Sequence, residues 1–208
     1  FYIIASPVGS YYPRGLAPVR IAIERDDVRA VRGGTGYAKC GGNYAAAARA
    51  TVRAEKAGYD QVLWLDGVER RYIEEVGAMN VMFKIDGRII TPSLTGSILP
   101  GITRSTCIAL LREMGFEVQE RRLDVAELLE AAKTGALEEA WGCGTAAVIS
   151  PIGTLHFDGT DYPVQGGGIG PISQMLYDTI TGIQYGRVAD AHHWTTVVDL
   201  PQKRALPF

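Results

Sequence analysis

A lysine enclosed by glycines is the residue whose surroundings most favour chemistry. Lys39 lies in a segment, residues 32–44, that carries five glycines, and an alanine-rich helix is predicted directly after it, at residues 43–56. Glycines let the backbone approach a ligand closely and adopt positive φ angles. A helix packed on the core would hold the lysine away from water, and a desolvated amine serves as a nucleophile or forms a Schiff base. The alternative is a solvated lysine in a surface loop.

The spacing of this loop excludes two common nucleotide-binding motifs. A P-loop has Gly directly before its lysine and Ser or Thr after it, whereas Lys39 is flanked by Ala38 and Cys40. A dinucleotide fingerprint that begins at Gly34 needs its third glycine at position 39, which is the lysine itself. ATP and NAD are therefore not expected as ligands.

Two further segments have the pattern of anion-binding sites. Residues 99–104 (Leu-Pro-Gly-Ile-Thr-Arg) lie at the start of a predicted helix, whose free N–H groups and positive dipole end attract a phosphomonoester. Residues 142–146 (Gly-Cys-Gly-Thr-Ala) form a glycine-rich turn, in which successive N–H groups make an anion-binding nest. For either segment alone, the alternative is an ordinary turn or loop that binds no ligand.

Two adjacent carboxylates stand beside an apolar run. Glu74 and Glu75 directly precede residues 76–79 (Val-Gly-Ala-Met). A solvated acidic pair is the usual meaning of this pattern. Glu75, among apolar neighbours, could instead be buried opposite a cation, because a buried charge needs a partner.

The elements that must position these residues are short strands, tight turns and helices. Apolar runs predict strands at residues 1–6, 19–24, 61–65, 81–85, 88–91, 117–121, 140–141 and 146–151. Helices are predicted at residues 43–56, 101–115 and 171–182, and after Asp124. Strand pairs joined by hairpins outnumber strand–helix–strand units, which predicts an α+β fold, and no linker divides residues 1–208 into two domains.

Composition and charge narrow the choice of partners. The 208 residues have a formal net charge of -2, so a polyanion binder is not indicated and no nucleic acid partner is expected. The apolar stretches are too short to span a bilayer, which predicts no membrane association. Cys40, Cys107 and Cys143 are far apart and form no metal motif, so we expect no metal site and a reducing, cytoplasmic location.

Taken together, these motifs resemble those of the branched-chain amino acid aminotransferases, which are fold-type IV pyridoxal-phosphate enzymes. The motifs follow the family's order and approximate spacing over essentially the whole chain. They are residues 33–44, 61–66, 75–80, 99–104, 144–147 and 182–186. The resemblance implies the large domain of that fold, an antiparallel-rich pseudo-barrel of strands flanked by helices, with pyridoxal 5'-phosphate as cofactor.

The resemblance also implies roles for residues around the cofactor ring. Lys39 would be the catalytic residue, which carries the cofactor covalently and moves a proton as general base and acid. Tyr44 would hydrogen-bond the phenolic oxygen, and Glu75 would face the pyridine nitrogen. Asn80 would support Glu75, and Leu99 would pack beside the ring.

Acidic groups of cofactor and substrate would be held by the two anion-binding segments. The resemblance assigns the cofactor phosphate to the backbone N–H groups of Ile102 and Thr103 and to Thr145. Thr145 and Ala146 would also present groups to the substrate carboxylate. Both assignments agree with the helix start and the glycine-rich turn described above.

Departures from the family pattern concern the start of the chain and the substrate pocket. Family members carry a smaller N-terminal domain, and this chain opens on an apolar run without Met, so we expect only the large cofactor-binding domain, with residues 1–17 as strand end and interdomain connector. Ala78 replaces a threonine of some members, which removes one hydroxyl contact to the substrate. Ala147 and Ser150 stand where mammalian members carry a redox Cys-x-x-Cys, so no such thiol switch is expected.

The activity implied by the resemblance is transamination between branched-chain L-amino acids (Leu, Ile, Val) and 2-oxoglutarate, giving branched 2-oxo acids and L-glutamate, in a homodimer. Two alternatives remain open. One is a D-amino acid transaminase or an aminodeoxychorismate lyase of the same fold. The other is a truncated cofactor-binding domain without turnover.

Overall fold

Strands and helices fill most of the chain that the computed structural model describes, which is residues 2–7, 9 and 15–198. The strands within it are β1 (Val19–Ile23), β2 (Gln61–Leu65), β3 (Ile73–Val76), β4 (Asn80–Ile85), β5 (Arg88–Thr91), β6 (Val118–Glu120), β7 (Leu137–Gly144), β8 (Val148–Phe157) and β9 (Thr160–Pro163). The α-helices are α1 (Gly41–Lys56), α2 (Ile102–Glu113), α3 (Val125–Thr134) and α4 (Pro171–Gln184). No helix in the described ranges has the length and apolar character needed to cross a membrane.

The strands form one mixed sheet in the order β3-β2-β1-β8-β7-β4-β5-β6, and β9 pairs with β8. Three pairs are parallel (β1–β2, β1–β8 and β5–β6), whereas the other five are antiparallel. A short turn joins β3 to β4, and Val76 and Met79 form a bridge across it. Because β3 and β4 are far apart in the sheet order, this turn requires the sheet to curl on itself. The α+β, antiparallel-rich fold is therefore confirmed.

Alternation along the strands separates an inner core from two outer layers. Side chains of a strand point to opposite faces in turn. On β2, Leu63 and Leu65 join the inner core, while Val62 and Trp64 pack with buried alanines of α1. On β4, Met82 packs in the buried cluster beside α2 and α4, while its neighbours Val81 and Phe83 belong to the inner core. The sheet thus has a filled interior and helices on its outside.

The strand predicted at residues 1–6 is wrong over the residues that the structure describes. Tyr2, Ile3 and Ile4 are largely exposed and lie in no strand. Both edges of β1, the first strand, are already paired with β2 and β8. Phe1 and much of the predicted connector, residues 8 and 10–14, lie outside the described residues, so residues 1–17 as an interdomain connector stay a prediction.

The glycine-rich segment after Trp141 is strand, not turn, as far as Gly144. The strands predicted at 140–141 and 146–151 are longer, at Leu137–Gly144 and Val148–Phe157. The glycines serve packing here, because a Cβ at Gly142 would lie 2.8 Å from Cε of Met79. The turn itself is therefore confined to residues 145–147.

The turn between β3 and β4 is held by a buried tryptophan. Trp64 Nε1 donates a hydrogen bond of 2.9 Å to the carbonyl oxygen of Gly77, and Gly77 N donates to the carbonyl oxygen of Val62 at 2.7 Å. Gly77 has a φ of +54°, which favours glycine. These bonds fix the strand end that carries Glu75.

We expect Trp64→Phe to destabilise the chain by about 1 kcal/mol more than Trp141→Phe. Both tryptophans are fully buried, but Nε1 of Trp141 has no hydrogen-bond partner within the described ranges. The first substitution loses a hydrogen bond and leaves the Gly77 carbonyl unpaired, whereas the second loses apolar contacts alone. Denaturant unfolding of the two variants measures the difference, and equal losses would contradict this account of the turn.

Candidate active site

A buried asparagine holds the loop that carries Lys39. Asn43, in the first turn of α1, donates from Nδ2 to the carbonyl oxygens of Thr35 (2.9 Å) and Ala38 (2.8 Å). Its Oδ1 accepts a hydrogen bond of 2.8 Å from the Thr35 hydroxyl. Two of these bonds satisfy backbone carbonyl groups of a loop without regular structure and the third ties the Thr35 side chain, so the position of Lys39 is set by the start of α1.

The same loop lies directly on the segment before α2. A Cβ at Gly36 would be only 2.1 Å from the carbonyl oxygen of Ser97, so no other residue fits without a shift of the backbone. Gly36 is buried, although its neighbours Thr35 and Tyr37 are exposed. Close backbone approach is therefore the reason for at least one glycine of the cluster.

Lys39 itself is exposed, which contradicts the predicted desolvation. Its Nζ donates a hydrogen bond of 2.7 Å to Oη of Tyr44, a half-exposed residue one turn into α1. Tyr37 and Ala38, before the lysine, are exposed as well. The loop places the amine at the mouth of a cavity instead of against the core, because α1 packs its buried face around Ala50 and Ala54, further along the helix.

Glu75 lies at the base of that cavity and is 3% exposed. Its Oε2 is 3.1 Å from Nε of Arg29, and its Oε1 accepts a hydrogen bond of 2.9 Å from the backbone N–H of Leu99. Burial raises the pKa of Glu75 to about 7, against the lowering effects of Arg29, the Leu99 N–H and Lys39. The alternative of a buried Glu75 opposite a cation is correct, and within the described chain that cation is Arg29.

Glu74 is buried too, so the solvated acidic pair is wrong. It accepts a hydrogen bond from the Ser97 hydroxyl through Oε1, while its Oε2 has no hydrogen-bond partner in the described residues. Burial raises the pKa of Glu74 above its ordinary value, and the Ser97 hydrogen bond lowers it in part. Adjacent strand residues face opposite ways, so Glu74 and Glu75 occupy different surroundings.

Asn80 connects the carboxylate to the first anion-binding segment. Its Nδ2 donates a hydrogen bond of 2.9 Å to the carbonyl oxygen of Leu99, whose N–H binds Glu75. The support predicted for Glu75 therefore runs through Leu99. A Cβ at Gly101 would lie 2.2 Å from Oδ1 of Asn80, so this asparagine also fixes the approach to α2.

The first turn of α2 leaves backbone donors for an anion. The helix begins at Ile102, and its N-cap residue Gly101 makes no side-chain cap. The first N–H groups of a helix have no acceptor within it. The N–H groups of Ile102 and Thr103 are therefore available beside the cavity, as the sequence pattern predicts.

The residues predicted for the site meet at one cavity of about 430 Å³. This volume lies in the range of ligand sites, about 300–1,000 Å³. A second cavity of about 270 Å³ shares Lys39, Tyr44, Glu75 and Leu99 and continues along α1. The larger cavity is lined by all nine of the predicted residues: Lys39, Tyr44, Glu75, Asn80, Leu99, Ile102, Thr103, Thr145 and Ala146.

Sequence reasoning missed Arg29. It stands in a charged run, Arg-Asp-Asp-Val-Arg at residues 25–29, which resembles a solvated surface segment. In the structure it is 8% exposed and faces Glu75. No local signal separates Arg29 from Arg25, because the partner that distinguishes them lies on a distant strand.

Comparison with known proteins bears on this arrangement. Residues 1–155 match the family described as Amino-transferase class IV. The chain belongs to this family. This class IV aminotransferase is 57% identical to branched-chain-amino-acid aminotransferase 2 of Bacillus subtilis (strain 168) over 196 aligned residues. The aligned residues cover 94% of this chain and 54% of that relative. The chain therefore spans about half the length of the relative, and the family resemblance seen in the motifs is confirmed.

Solved structures of class IV aminotransferases share the fold. The branched-chain amino acid aminotransferase of Escherichia coli aligns with a TM-score of 0.78 at 31% identity, over 91% of this chain and 59% of that one. The T.th. branched-chain amino acid aminotransferase complexed with N-(5'-phosphopyridoxyl)-L-glutamate aligns with a TM-score of 0.75 at 30% identity, over 88% of this chain and 57% of that one. Both likenesses support the fold-type IV assignment.

The contact between Gly101 and Asn80 is testable by a double-mutant cycle. Gly101 has a φ of −68°, which alanine adopts freely, so Gly101→Ala adds only the collision with Oδ1 of Asn80. We expect a loss of about 1–3 kcal/mol in unfolding free energy. In an Asn80→Ala background the collision is absent, and the same change should cost less. Additive losses in denaturant unfolding would contradict the contact.

Glu75 should make stability depend on pH. Its pKa is about 7 when folded, against an ordinary value of 4.5, so the folded chain keeps a proton that the unfolded chain releases. Its stabilising contribution is complete below the unfolded value and is lost as the pH rises through the folded one. Glu75→Gln should flatten this decline by on the order of 3 kcal/mol.

Denaturant unfolding at a series of pH values across that window measures the effect. The pKa of Glu74 is raised as well, so the difference between the two curves reports Glu75 together with its coupling to Glu74. Glu130→Gln, at an exposed position of α3, is the control and should leave the curve unchanged. Parallel curves for wild type and Glu75→Gln would show that this carboxyl group does not titrate as described.

Proposed function

We propose that this chain is the cofactor-binding part of a pyridoxal-phosphate-dependent aminotransferase that acts on branched-chain L-amino acids (Leu, Ile, Val) and 2-oxoglutarate. The observation that carries the proposal is the meeting of the nine residues at one cavity, with an amine at its mouth, a carboxylate at its base and two anion-binding segments on its wall. The names of the relatives give the substrate class, since the similar proteins are branched-chain amino acid aminotransferases.

The residues fit pyridoxal 5'-phosphate group by group. The cofactor has an aldehyde, a phenolic oxygen, a basic pyridine nitrogen and a phosphate. Lys39 offers an amine and Tyr44 a hydroxyl 2.7 Å from it. Glu75 offers a buried carboxylate for the nitrogen, and the uncapped start of α2 offers N–H donors for the phosphate. When bound, the cofactor supplies the carbonyl group that carries the amino group and the ring that withdraws electrons from the substrate.

In this proposal Lys39 would hold the cofactor covalently until the substrate amine displaces its Nζ, and the freed amine would then move a proton at the substrate Cα. The hydrogen bond from Nζ to Tyr44 orients the amine toward the cavity that both residues line. Glu75, kept in place by Arg29 and the Leu99 N–H, stabilises positive charge on the pyridine nitrogen. Leu99 also lines the cavity, where its side chain can pack beside the ring.

The two predicted anion-binding segments would bind the cofactor phosphate and the substrate carboxylate. The N–H groups of Ile102 and Thr103 and the hydroxyl of Thr145 hold the phosphate of the cofactor. Thr145 and Ala146, exposed in the turn after β7, present groups to the substrate carboxylate. A homodimer, a cytoplasmic location and a preceding small domain that completes the substrate pocket remain predictions from the family resemblance.

Intact mass after borohydride reduction with pyridoxal 5'-phosphate tests the proposal. We expect one covalent adduct, located at Lys39 by peptide mapping and absent from Lys39→Ala. Lys56→Ala removes an exposed lysine at the end of α1, the helix that follows the loop of Lys39, and should keep the adduct. An adduct spread over several lysines, or one that survives Lys39→Ala, would overturn the assignment.

The substrate class is tested separately by amino-group transfer to 2-oxoglutarate. In an assay on the full-length protein, L-leucine should donate its amino group to 2-oxoglutarate and D-alanine should not. Transfer from D-alanine would favour a D-amino acid transaminase of the same fold, while covalent binding without transfer would leave only the cofactor-binding role.

A further inference from the structure

Arg29 contacts three segments that the proposed mechanism needs together. Its Nε is 3.1 Å from Oε2 of Glu75, at an angle outside hydrogen-bond geometry, so the interaction is chiefly electrostatic. Its Nη2 donates to the carbonyl oxygen of Ser97 at 2.5 Å and, at 3.5 Å, to that of Gly36. Gly36 belongs to the loop of Lys39, and Ser97 lies two residues before Leu99. One buried guanidinium therefore links the loop, the carboxylate and the approach to α2.

The charged and hydrogen-bonding groups that act on Glu75 come from four segments of the chain. Arg29 and Lys39 favour the ionised carboxylate, the Leu99 N–H on the approach to α2 does so as well, and Glu74 on the same strand opposes it. Lys39 is exposed and is engaged with Tyr44, so water screens its charge. Arg29 is the buried cation of this set, and its charge acts where screening is weakest.

We propose that Arg29 is a positioning residue that keeps Glu75 ionised and aimed into the cavity, and that it ties this carboxylate to the loop of Lys39. The inference rests on the proposed function, because an ionised Glu75 matters for a pyridine nitrogen. Arginine suits the task because a planar guanidinium presents several donors in a fixed fork, so one side chain can serve a carboxylate and two carbonyl groups at once.

The titration of Glu75 itself tests the proposal without any cofactor. The side-chain carboxyl carbon of Glu75, labelled with ¹³C and assigned by its absence in Glu75→Gln, is followed by NMR as the pH is raised. Arg29→Gln should raise the midpoint by about one pH unit or more, because the nearest opposite charge is lost. Arg29→Lys keeps the charge without the fork and should fall between wild type and Arg29→Gln.

Arg53→Gln is the matched control. Arg53 also pairs with a buried carboxylate, Glu24, but at a place away from the cavity, so the midpoint of Glu75 should not move. If Arg29→Gln fails to fold, Arg29→Lys decides by the same measurement. An unchanged midpoint in a folded Arg29 variant would overturn the proposal.

Affinity for pyridoxal 5'-phosphate, measured as Kd over the same pH series, separates positioning from general support. At pH values between the Glu75 midpoint of the wild type and that of Arg29→Gln, we expect the variant to bind the cofactor about tenfold or more weakly. Above both midpoints the loss of affinity should be small. A uniform loss at every pH indicates a merely structural role and contradicts the proposal. If the wild-type protein binds no cofactor while the Glu75 midpoint still moves, the proposed function fails and the effect of Arg29 on Glu75 stands.

Discussion

The buried carboxylate of Glu75 is the constraint on which the rest of the site depends. Removing a charge from water is costly unless opposite charge and hydrogen-bond donors face it. Arg29 provides the charge, and the N–H of Leu99 provides the hydrogen bond. Each comes from a different segment of the chain, so the two groups that oppose the effect of burial on the pKa of Glu75 act together only where three segments meet.

Other polar side chains hold those segments by their backbones. Asn43 binds the loop of Lys39, Asn80 binds the carbonyl group of Leu99, and Trp64 binds the turn after β3. Backbone groups outside regular structure need partners when they are buried. The cavity is thus bordered by irregular backbone that is nonetheless fixed, which is what a site needs if it must hold several groups of one ligand at set positions.

The polarity of the cavity changes with depth. The amine of Lys39 is exposed at its mouth, while Glu75 is 3% exposed at its base. An exposed amine is accessible to a ligand that enters, and a buried carboxylate interacts strongly with a ring nitrogen because there is little water to screen it. The start of α2 and the turn after β7 line the same cavity, so the proposed cofactor would meet partners from several different elements.

Much of the site could be predicted from the sequence, because its motifs are local. Helix and strand positions follow from residues close in the chain, as at the hairpin turn of Asp86 and Gly87, where both φ angles are positive. The nine predicted residues also meet at one cavity. The order and spacing of the motifs carried the family resemblance, and that resemblance supplied Tyr44, Asn80, Leu99 and Ala146 as site residues.

Tertiary structure alone decided three features. The apolar residues 2–4 form no strand. Apolar character alone does not show whether a strand has a free edge to pair with, and both edges of β1 are already paired. Lys39 is exposed, because its burial depends on where α1 packs and not on its glycine neighbours. Arg29 became part of the site only through Glu75, on a strand far along the chain. The sequence by itself determined which residues have the right chemistry, whereas long-range packing decided their burial and their charge partners.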